Sequence, residues 1–235
     1  EELNKIRAKF IDIVSHQLRT PLNAIRWNLE TLLTGGLGEL KEDQKKFISI
    51  TLDADLEVVK RIGQMLTAVD IEEGHTMTSK QPASIEGLVA SVVGVYKRQA
   101  LTKDVKISYD EELKGIGPVT MDANKIRSVI DAFLENAVAY TPNGGKISVS
   151  LFRTDNKVRV EVSDSGVGIP KDDQLNIFSR FFRATNAGVM KQDSSGLALY
   201  IAKFFIEQHS GSIGFRSKEG EGSVFWFEIP ISETA

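Results

Sequence analysis

Apolar residues recur every three or four positions over the first third of the chain and then largely every second position, so a helical segment precedes a mixed helix-and-strand one. Leu3, Ile6, Phe10 and Ile13 begin the pattern, and Val14, Leu18, Leu22, Ile25, Leu29 and Leu32 continue an apolar face, which predicts a helix over 1–33. Thr34-Gly35-Gly36-Leu37-Gly38 ends it. A second helix is predicted from Lys41 to Ile71, with Phe47, Val58, Ile62, Met65 and Val69 on a heptad-like stripe that Thr51 and Asp55 interrupt. Two long helices joined by a short loop make an antiparallel hairpin. A lone hairpin cannot bury two apolar faces, whereas two copies paired as a four-helix bundle can, so a homodimer is expected.

The polar stretch from Glu72 to Pro82 reads as a linker, after which the period changes. A helix is predicted over 84–102, a short strand from Val105 to Tyr109 and another from Val119 to Met121. Asp122 is a candidate cap for a helix reaching Tyr140. Lys146 to Arg153 and Lys157 to Asp164 alternate around Thr154-Asp155-Asn156 as a hairpin. A helix from Gly196 to Gln208 stops at Ser210-Gly211, and strands at 212–217 and 223–229 flank a glycine-rich turn. The expected fold class is α plus α/β: an antiparallel helical hairpin that dimerises into a four-helix bundle, then an α/β sandwich with a mixed sheet. The expected domains are 1–72 and 83–235, with a linker at 73–82.

Composition narrows the function classes. The net charge of −3 supplies no global basic field, so neither nucleic acid nor an anionic membrane is an expected partner. The absence of cysteine excludes disulfides, thiolate metal sites and cysteine nucleophiles, and fits a reducing compartment. The longest nearly apolar run, Gly87 to Tyr96, is far too short to span a bilayer, so no direct membrane contact is expected. The chain opens inside a helix with no secretory leader, and it reads as a piece of something longer upstream.

Candidate chemistry starts on the first helix. Lys9, Asp12, His16, Arg19, Asn23, Arg26 and Glu30 lie three or four apart and form a polar face opposite the apolar stripe, which places His16 toward solvent. It is either an ordinary surface histidine or a phosphoryl acceptor, for which an exposed neutral imidazole is a good nucleophile. Pro21, just past one turn later, removes the bond to the Gln17 carbonyl and favours a kink. In the second half, Asp164-Ser165-Gly166-Val167-Gly168-Ile169-Pro170 follows a strand. It is either a tight turn or a place where a carboxylate beside glycines accepts a hydrogen bond from an exocyclic amine such as that of adenine. Asn136 offers an amide oxygen suited to Mg²⁺, and Tyr140 one turn later can pack on an adenine ring. Ile177 to Arg183 is aromatic and basic and reads, in isolation, as the end of a core helix. Ser194-Ser195-Gly196-Leu197-Ala198-Leu199 opens a helix whose N–H groups can cradle phosphate oxygens.

Phe10 to Leu22, with His16-Gln17-Leu18-Arg19-Thr20-Pro21 at its centre, resembles the H box of sensor histidine kinases. Residues 122–143, 164–170, 177–183 and 194–201 resemble, in order, the N box, first glycine box, F box and second glycine box of the GHKL-type ATPase domain in its histidine-kinase form. The resemblance covers nearly the whole chain. It implies a dimerisation and phospho-acceptor domain carrying His16, followed by an ATP-binding domain. It further implies that Thr20 orients water in a phosphatase reaction, Asp164 binds adenine, Asn136 holds Mg²⁺, Arg183 reaches phosphates, and residues 184–195 form a lid. Tyr140, Gly166, Gly168, Ile169, Ser195, Gly196 and Leu197 complete the nucleotide site. ATP and Mg²⁺ are the expected cofactors. A second copy and a response-regulator receiver domain are the expected partners, and the cytoplasm is the expected location of this part, whether the full-length protein is membrane-anchored or soluble.

The sequence departs from the family pattern at five positions. Gln17 stands where the family usually has a Glu or Asp base directly after the histidine, and an amide cannot take up a proton near neutral pH. Ala132 replaces a common asparagine, Ala139 a frequent phosphate-contacting lysine, and Ser194 and Ala198 two glycines of the second glycine box. Two readings therefore compete with an active kinase: a kinase-impaired phosphatase or phosphotransfer dimer, and a GHKL-type ATPase clamp. The clamp needs a glutamate where Ala132 stands, and Glu135 lies about 100° further round the helix.

Overall fold

The computed structural model describes residues 2–109, 115–154, 156–189 and 194–231, with backbone only for 2–16, Arg19 and Val189. It divides into two compact units, Glu1–Thr76 and Met77–Ala235.

The first unit is a helical hairpin of α1 (Glu2–Leu33) and α2 (Glu42–Glu73). Pro21 sits inside α1 without ending it. Gly35 and Gly38 take positive φ in the loop between the helices, a conformation that costs glycine nothing. At the start of α2, the Lys41 N–H donates to Gln44 Oε1 at 2.9 Å, and Glu42 and Asp43 place negative charge where the helix dipole favours it. The helix ends at Gly74, which is left-handed at φ 71°.

Among the described side chains of this unit only Asp55 and Ala68 are buried. Trp27 and Phe47 stay 68% and 78% exposed, so one hairpin buries neither apolar face. Arg26 departs from the expected outward polar face: its Nε donates to Asp55 Oδ2 at 3.3 Å, between the helices. The break that Asp55 makes in the apolar stripe is thus an ion-pair position.

The second unit opens with β1 (Gln81–Ser84), followed by α3 (Ile85–Leu101), β2 (Lys106–Tyr109), β3 (Pro118–Met121), α4 (Ala123–Tyr140), β4 (Lys146–Thr154), β5 (Lys157–Asp164), α5 (Ala198–Gln208), β6 (Ser212–Lys218) and β7 (Gly222–Pro230). β1 pairs antiparallel with β3 in a small sheet of its own. The main sheet runs β2-β4-β5-β7-β6, with β2 parallel to β4 and every other pair antiparallel.

Helices α3, α4 and α5 form a second layer against this sheet, as the alternation predicts. Val158, Val160 and Val162 of β5 and Phe225, Phe227 and Ile229 of β7 are buried. Phe133 of α4 is at the centre, its ring 5.5 Å from Phe225 and 6.2 Å from Phe227. The intervening residues carry charge: Arg159 pairs with Glu161 and Glu228 and lies 4.0 Å over the Trp226 ring.

Three expectations need correction. The linker is shorter than 73–82, because α2 runs to Glu73 and Gln81-Pro82 already belong to β1. A four-residue strand that contains a proline carries almost no alternation, so the apolar pattern does not mark it. Residues 177–183 are not a helix end: a 3₁₀ turn at Lys171–Asn176 leads into irregular chain, where Phe181 is left-handed (φ 61°) and 60% exposed. The third helix of this unit begins at Ala198 with Leu197 at its N-cap position, not at Gly196.

Candidate functional site

Four segments of the second unit meet at one end of the main sheet. The first is the end of α4. Asp122 caps the start of that helix by accepting from the N–H groups of Asn124 and Lys125, both at 3.2 Å. Asn136 and Tyr140 are half-buried on it, as is Ala139. Ala132 is 6% exposed, within the packed face of the helix. Burial raises the pKa of the Tyr96 phenol, and the charges of Asp131 and Glu135 add to the effect, so Glu135 acts toward α3.

The second segment is the loop 164–170 that follows β5. Burial pushes the Asp164 carboxyl up to about 6, against the pull of backbone hydrogen bonds from Gly166 and Ser223. The Gly166 N–H donates to Asp164 Oδ1 at 2.8 Å. A Cβ on Gly166 would lie 2.5 Å from the Tyr140 carbonyl oxygen, and the Val167 N–H donates to that same oxygen at 3.2 Å. The loop is therefore seated directly on the end of α4. Gly168 is left-handed at φ 65°, and a Cβ there would run into the Lys218 carbonyl of the β6–β7 turn. The Gly220 N–H donates to Val167 O at 2.8 Å, and the Ile169 N–H to Ser217 Oγ at 2.9 Å. Ile169 is 7% exposed.

The third segment, 171–189, is clasped to the second by side chains that the sequence did not single out. Gln174 Nε2 donates to Ile169 O at 3.0 Å and to Ser217 O at 3.1 Å. Buried Asp173 accepts from the Thr185 N–H at 2.7 Å and from Thr185 Oγ1 at 2.8 Å. Asn186 Nδ2 donates to Gly168 O at 3.0 Å. Arg183 is half-buried two residues before Thr185. These bonds join residues that no motif or period links, so only the tertiary fold reveals them.

The fourth segment leads into α5. Gly196 is left-handed at φ 66°, and a Cβ there would lie 2.7 Å from the Phe181 carbonyl carbon and 2.8 Å from the Phe182 carbonyl oxygen. Ser195 Oγ accepts from the Leu197 N–H at 3.3 Å, and Leu197 is fully buried. Ser194, Ser195 and Ala198 are half-buried. Residues 190–193 of the expected lid lie outside the described residues.

On the first unit, Gln17 and Thr20 are exposed on α1. His16 lies within the same helix, and its side chain is outside the described residues, so the predicted solvent-facing imidazole is not described. Among the described residues, no cluster of three or more His, Cys, Asp or Glu is placed to hold a metal, and no helix is long and apolar enough to cross a membrane.

A helical hairpin followed along the chain by a two-layer α/β sandwich is the class that this geometry defines. Residues 121–233 match the histidine kinase-, DNA gyrase B- and HSP90-like ATPase model, and residues 6–74 match the His Kinase A phospho-acceptor domain. The chain belongs to the sensor histidine kinases of two-component systems. It is 29% identical over 236 residues to the sensor histidine kinase WalK of Bacillus subtilis, covering 99% of this chain and 38% of WalK. It is 28% identical over 228 residues to the circadian input-output histidine kinase CikA of Synechococcus elongatus, covering 97% of this chain and 30% of CikA. The chain thus spans well under half the length of these relatives. Among solved structures, full-length ShkA in complex with AMPPNP shares the fold with a TM-score of 0.75 at 24% identity, covering 97% of this chain and 46% of that one. The catalytic domain of the histidine kinase ThkA matches 65% of this chain and 96% of its own length, with a TM-score of 0.55 at 29% identity.

Proposed function

We propose that this chain is a kinase core that moves the γ-phosphoryl group of ATP to His16 and then to a response-regulator aspartate. The observation that carries the reading is the loop 164–170. It sets a half-buried carboxylate, Asp164, against the end of α4, and its two glycines, lacking side chains, let the loop seat on the Tyr140 and Lys218 carbonyls. That arrangement suits the exocyclic amine of adenine. Tyr140 would pack against the ring, and Gly166, Gly168 and Ile169 would shape the pocket. Arg183, Ser195, Gly196 and Leu197 would face the phosphates, the last three through backbone N–H groups leading into α5.

Asn136 would hold Mg²⁺. A lone amide, with no carboxylate cage among the described residues, fits an ion that takes its remaining ligands from phosphates and water. Bound there, Mg²⁺ would neutralise charge on the transferring group. In the transfer, the γ-phosphorus would leave the bridging oxygen, which departs with its electron pair in ADP, and bond to the lone-pair nitrogen of His16. The proton on the other ring nitrogen passes to water, since Gln17 cannot accept it. The phosphoryl group then passes to a carboxylate oxygen of the regulator, and Thr20 would orient the water that later removes it.

In this reading residues 1–72 lie in the dimerisation and phospho-acceptor domain and 83–235 in the catalytic domain, with the linker a shorter stretch within 73–82. The exposed Trp27, Ile50 and Phe47, on a hairpin with almost no buried side chain among its described residues, support pairing with a second copy.

The test is incubation with γ-labelled ATP and Mg²⁺, comparing the chain with His16→Ala. Acid-labile, alkali-stable label that vanishes in the variant is expected. The companion variant Gln17→Glu should raise the labelling rate by about tenfold or more, with unchanged ATP affinity. No label in a protein that still binds ATP and dimerises would transfer the assignment to a phosphatase, the reading that Gln17 favours. ATP turnover that survives loss of His16 would point to a clamp-type ATPase instead.

A further inference from the structure

The chain leaving α2 is fastened at both sides of a single residue. On one side, Gly74 closes the helix: its N–H donates to Ile71 O at 3.3 Å, and the His75 N–H donates to Asp70 O at 2.9 Å. On the other side, the chain leading to β1 is tied down before that strand begins. Lys125 Nζ donates to Met77 O at 2.6 Å and to Thr78 Oγ1 at 2.7 Å. The Ser79 N–H donates to Asp122 Oδ2 at 3.1 Å. From Gln81 onward the β1–β3 ladder takes over, starting at the pair Gln81–Met121. Among these residues, Thr76 alone lies between the two sets of tethers.

The anchor itself is well supported. Lys125 and Asp122 belong to the first turn and N-cap of α4, the helix that carries Asn136 and Tyr140. The Lys125 ammonium also sits 5.2 Å from the Phe205 ring centroid, and Phe205 is 7% exposed. Asp122 is held in turn, because its own N–H donates to His209 Nε2 at 2.9 Å and its other carboxylate oxygen caps α4. Neither side chain is part of the nucleotide pocket.

We propose that Lys125, seconded by Asp122, is a positioning residue for phosphoryl transfer: it latches residues 77–79 to the start of α4 and confines the joint between the two units to Thr76. The inference rests on the kinase reading, because it concerns how the ATP-bearing unit is presented to His16. A chain free from Gly74 to Lys80 would let that unit sample a wide volume. A joint at one residue restricts the search and raises the effective concentration of the nucleotide at its acceptor, which falls steeply as a tether lengthens.

The test uses the whole chain with Lys125→Met, which keeps a stem over Phe205 and removes the three donors. Amide exchange at Ser79, calorimetric affinity for ATP, and the initial rate of His16 labelling at saturating ATP are compared with the parent. Because the sequence contains no cysteine, spin labels at Asp53→Cys and Lys106→Cys, diluted with unlabelled chain, report the spread of distances between the units. Expected are faster exchange at Ser79, a broader distance distribution, ATP affinity within twofold, and labelling slowed by about tenfold. Lys125→Arg, which keeps cationic donors, should recover much of the rate. Unchanged exchange at Ser79 would overturn the latch. Faster exchange with unchanged distances and labelling rate would overturn its positioning role. If the parent itself gives no label on His16 while binding ATP, the kinase reading fails, and the exchange and distance measurements still decide the latch.

Discussion

Arg26 and Asp55, on opposite helices of the hairpin, meet at 3.3 Å with the Asp55 side chain 3% exposed and that of Arg26 26% exposed. Each has an atom left over: Arg26 Nη2 and Asp55 Oδ1 are buried and have no hydrogen-bond partner among the described residues. An ion pair with unsatisfied atoms in a helical interface is a poor source of stability and a good specifier of register. Asp55→Leu should therefore destabilise the hairpin by roughly 1–3 kcal/mol by stranding the guanidinium, below the full range for buried pairs because Arg26 keeps some solvent. Arg26→Met with Asp55→Leu should recover the loss or exceed it. Urea unfolding of the parent, both single variants and the double variant closes the cycle; additive effects would show that the pair does not couple.

The Asp164 carboxyl gives the nucleotide site a pH dependence of defined sign. Its folded pKa of about 6 lies above its ordinary 3.8. The fold therefore favours the protonated form, and that stabilisation is fully present below about pH 4 and lost as pH rises through 6. Adenine recognition runs the other way, since the ionised carboxylate is the stronger acceptor. Adenosine affinity, measured calorimetrically to avoid titrating phosphates, should fall as pH drops from 7 to 5. Asp164→Asn should bind adenosine weakly at every pH and lose the slope. The same variant, without nucleotide, should be more stable than the parent at pH 8 by roughly 1–3 kcal/mol.

His209 couples the end of α5 to the start of α4 and titrates in the opposite sense. Nε2 accepts from the Asp122 N–H at 2.9 Å, so Nδ1, 2.6 Å from Phe205 O, carries the proton and donates to that carbonyl. Burial lowers its pKa, and Lys80 and Lys125 push the same way against the Phe205 carbonyl and Asp122. A depressed folded pKa means that the stabilisation is complete above the unfolded value of about 6.5 and is lost as pH falls below it. Melting temperatures between pH 7.5 and 5.5 should decline in Asp164→Asn, where the opposing carboxylate is gone. A flat profile there would remove His209 as the cause.

The sequence made the long elements legible because periodicity averages over many residues. The helices α1, α2, α3 and α4 and the β4–β5 hairpin fall where the apolar spacing puts them. Short pieces fixed from elsewhere did not announce themselves. β1 exists because β3 offers it a ladder. Arg26 turns inward because Asp55 waits on the other helix, and a polar residue on a helical wheel carries no sign of that. The same limit applies to the site. Asp164, Gly166, Gly168 and Gly196 sit in recognisable motifs, whereas Gln174 and Asn186, which fasten the segment carrying Arg183 to the Gly168 loop, and Asp173, which braces that segment through Thr185, are unremarkable in sequence.

Gly168 is where that fastening is most exposed to a single methyl group. Its φ of 65° lies in the region that side chains disfavour, its missing Cβ leaves room for the Lys218 carbonyl, and its own carbonyl accepts from Asn186. A backbone oxygen in a β-turn cannot move aside as a flexible side chain would. Gly168→Ala must therefore push the loop off the β6–β7 turn, disturbing Ile169 and the Asn186 bond together. The expected result is a loss of stability of at least about 1–2 kcal/mol and ATP affinity reduced by tenfold or more. Gly94→Ala, inside α3, is the control, with ordinary φ and nothing within 4 Å of the added methyl; it should leave ATP affinity unchanged and not lower stability. Equal behaviour of the two variants in calorimetry and urea unfolding would mean that the loop yields, and that its seat on the β6–β7 turn does not shape the pocket.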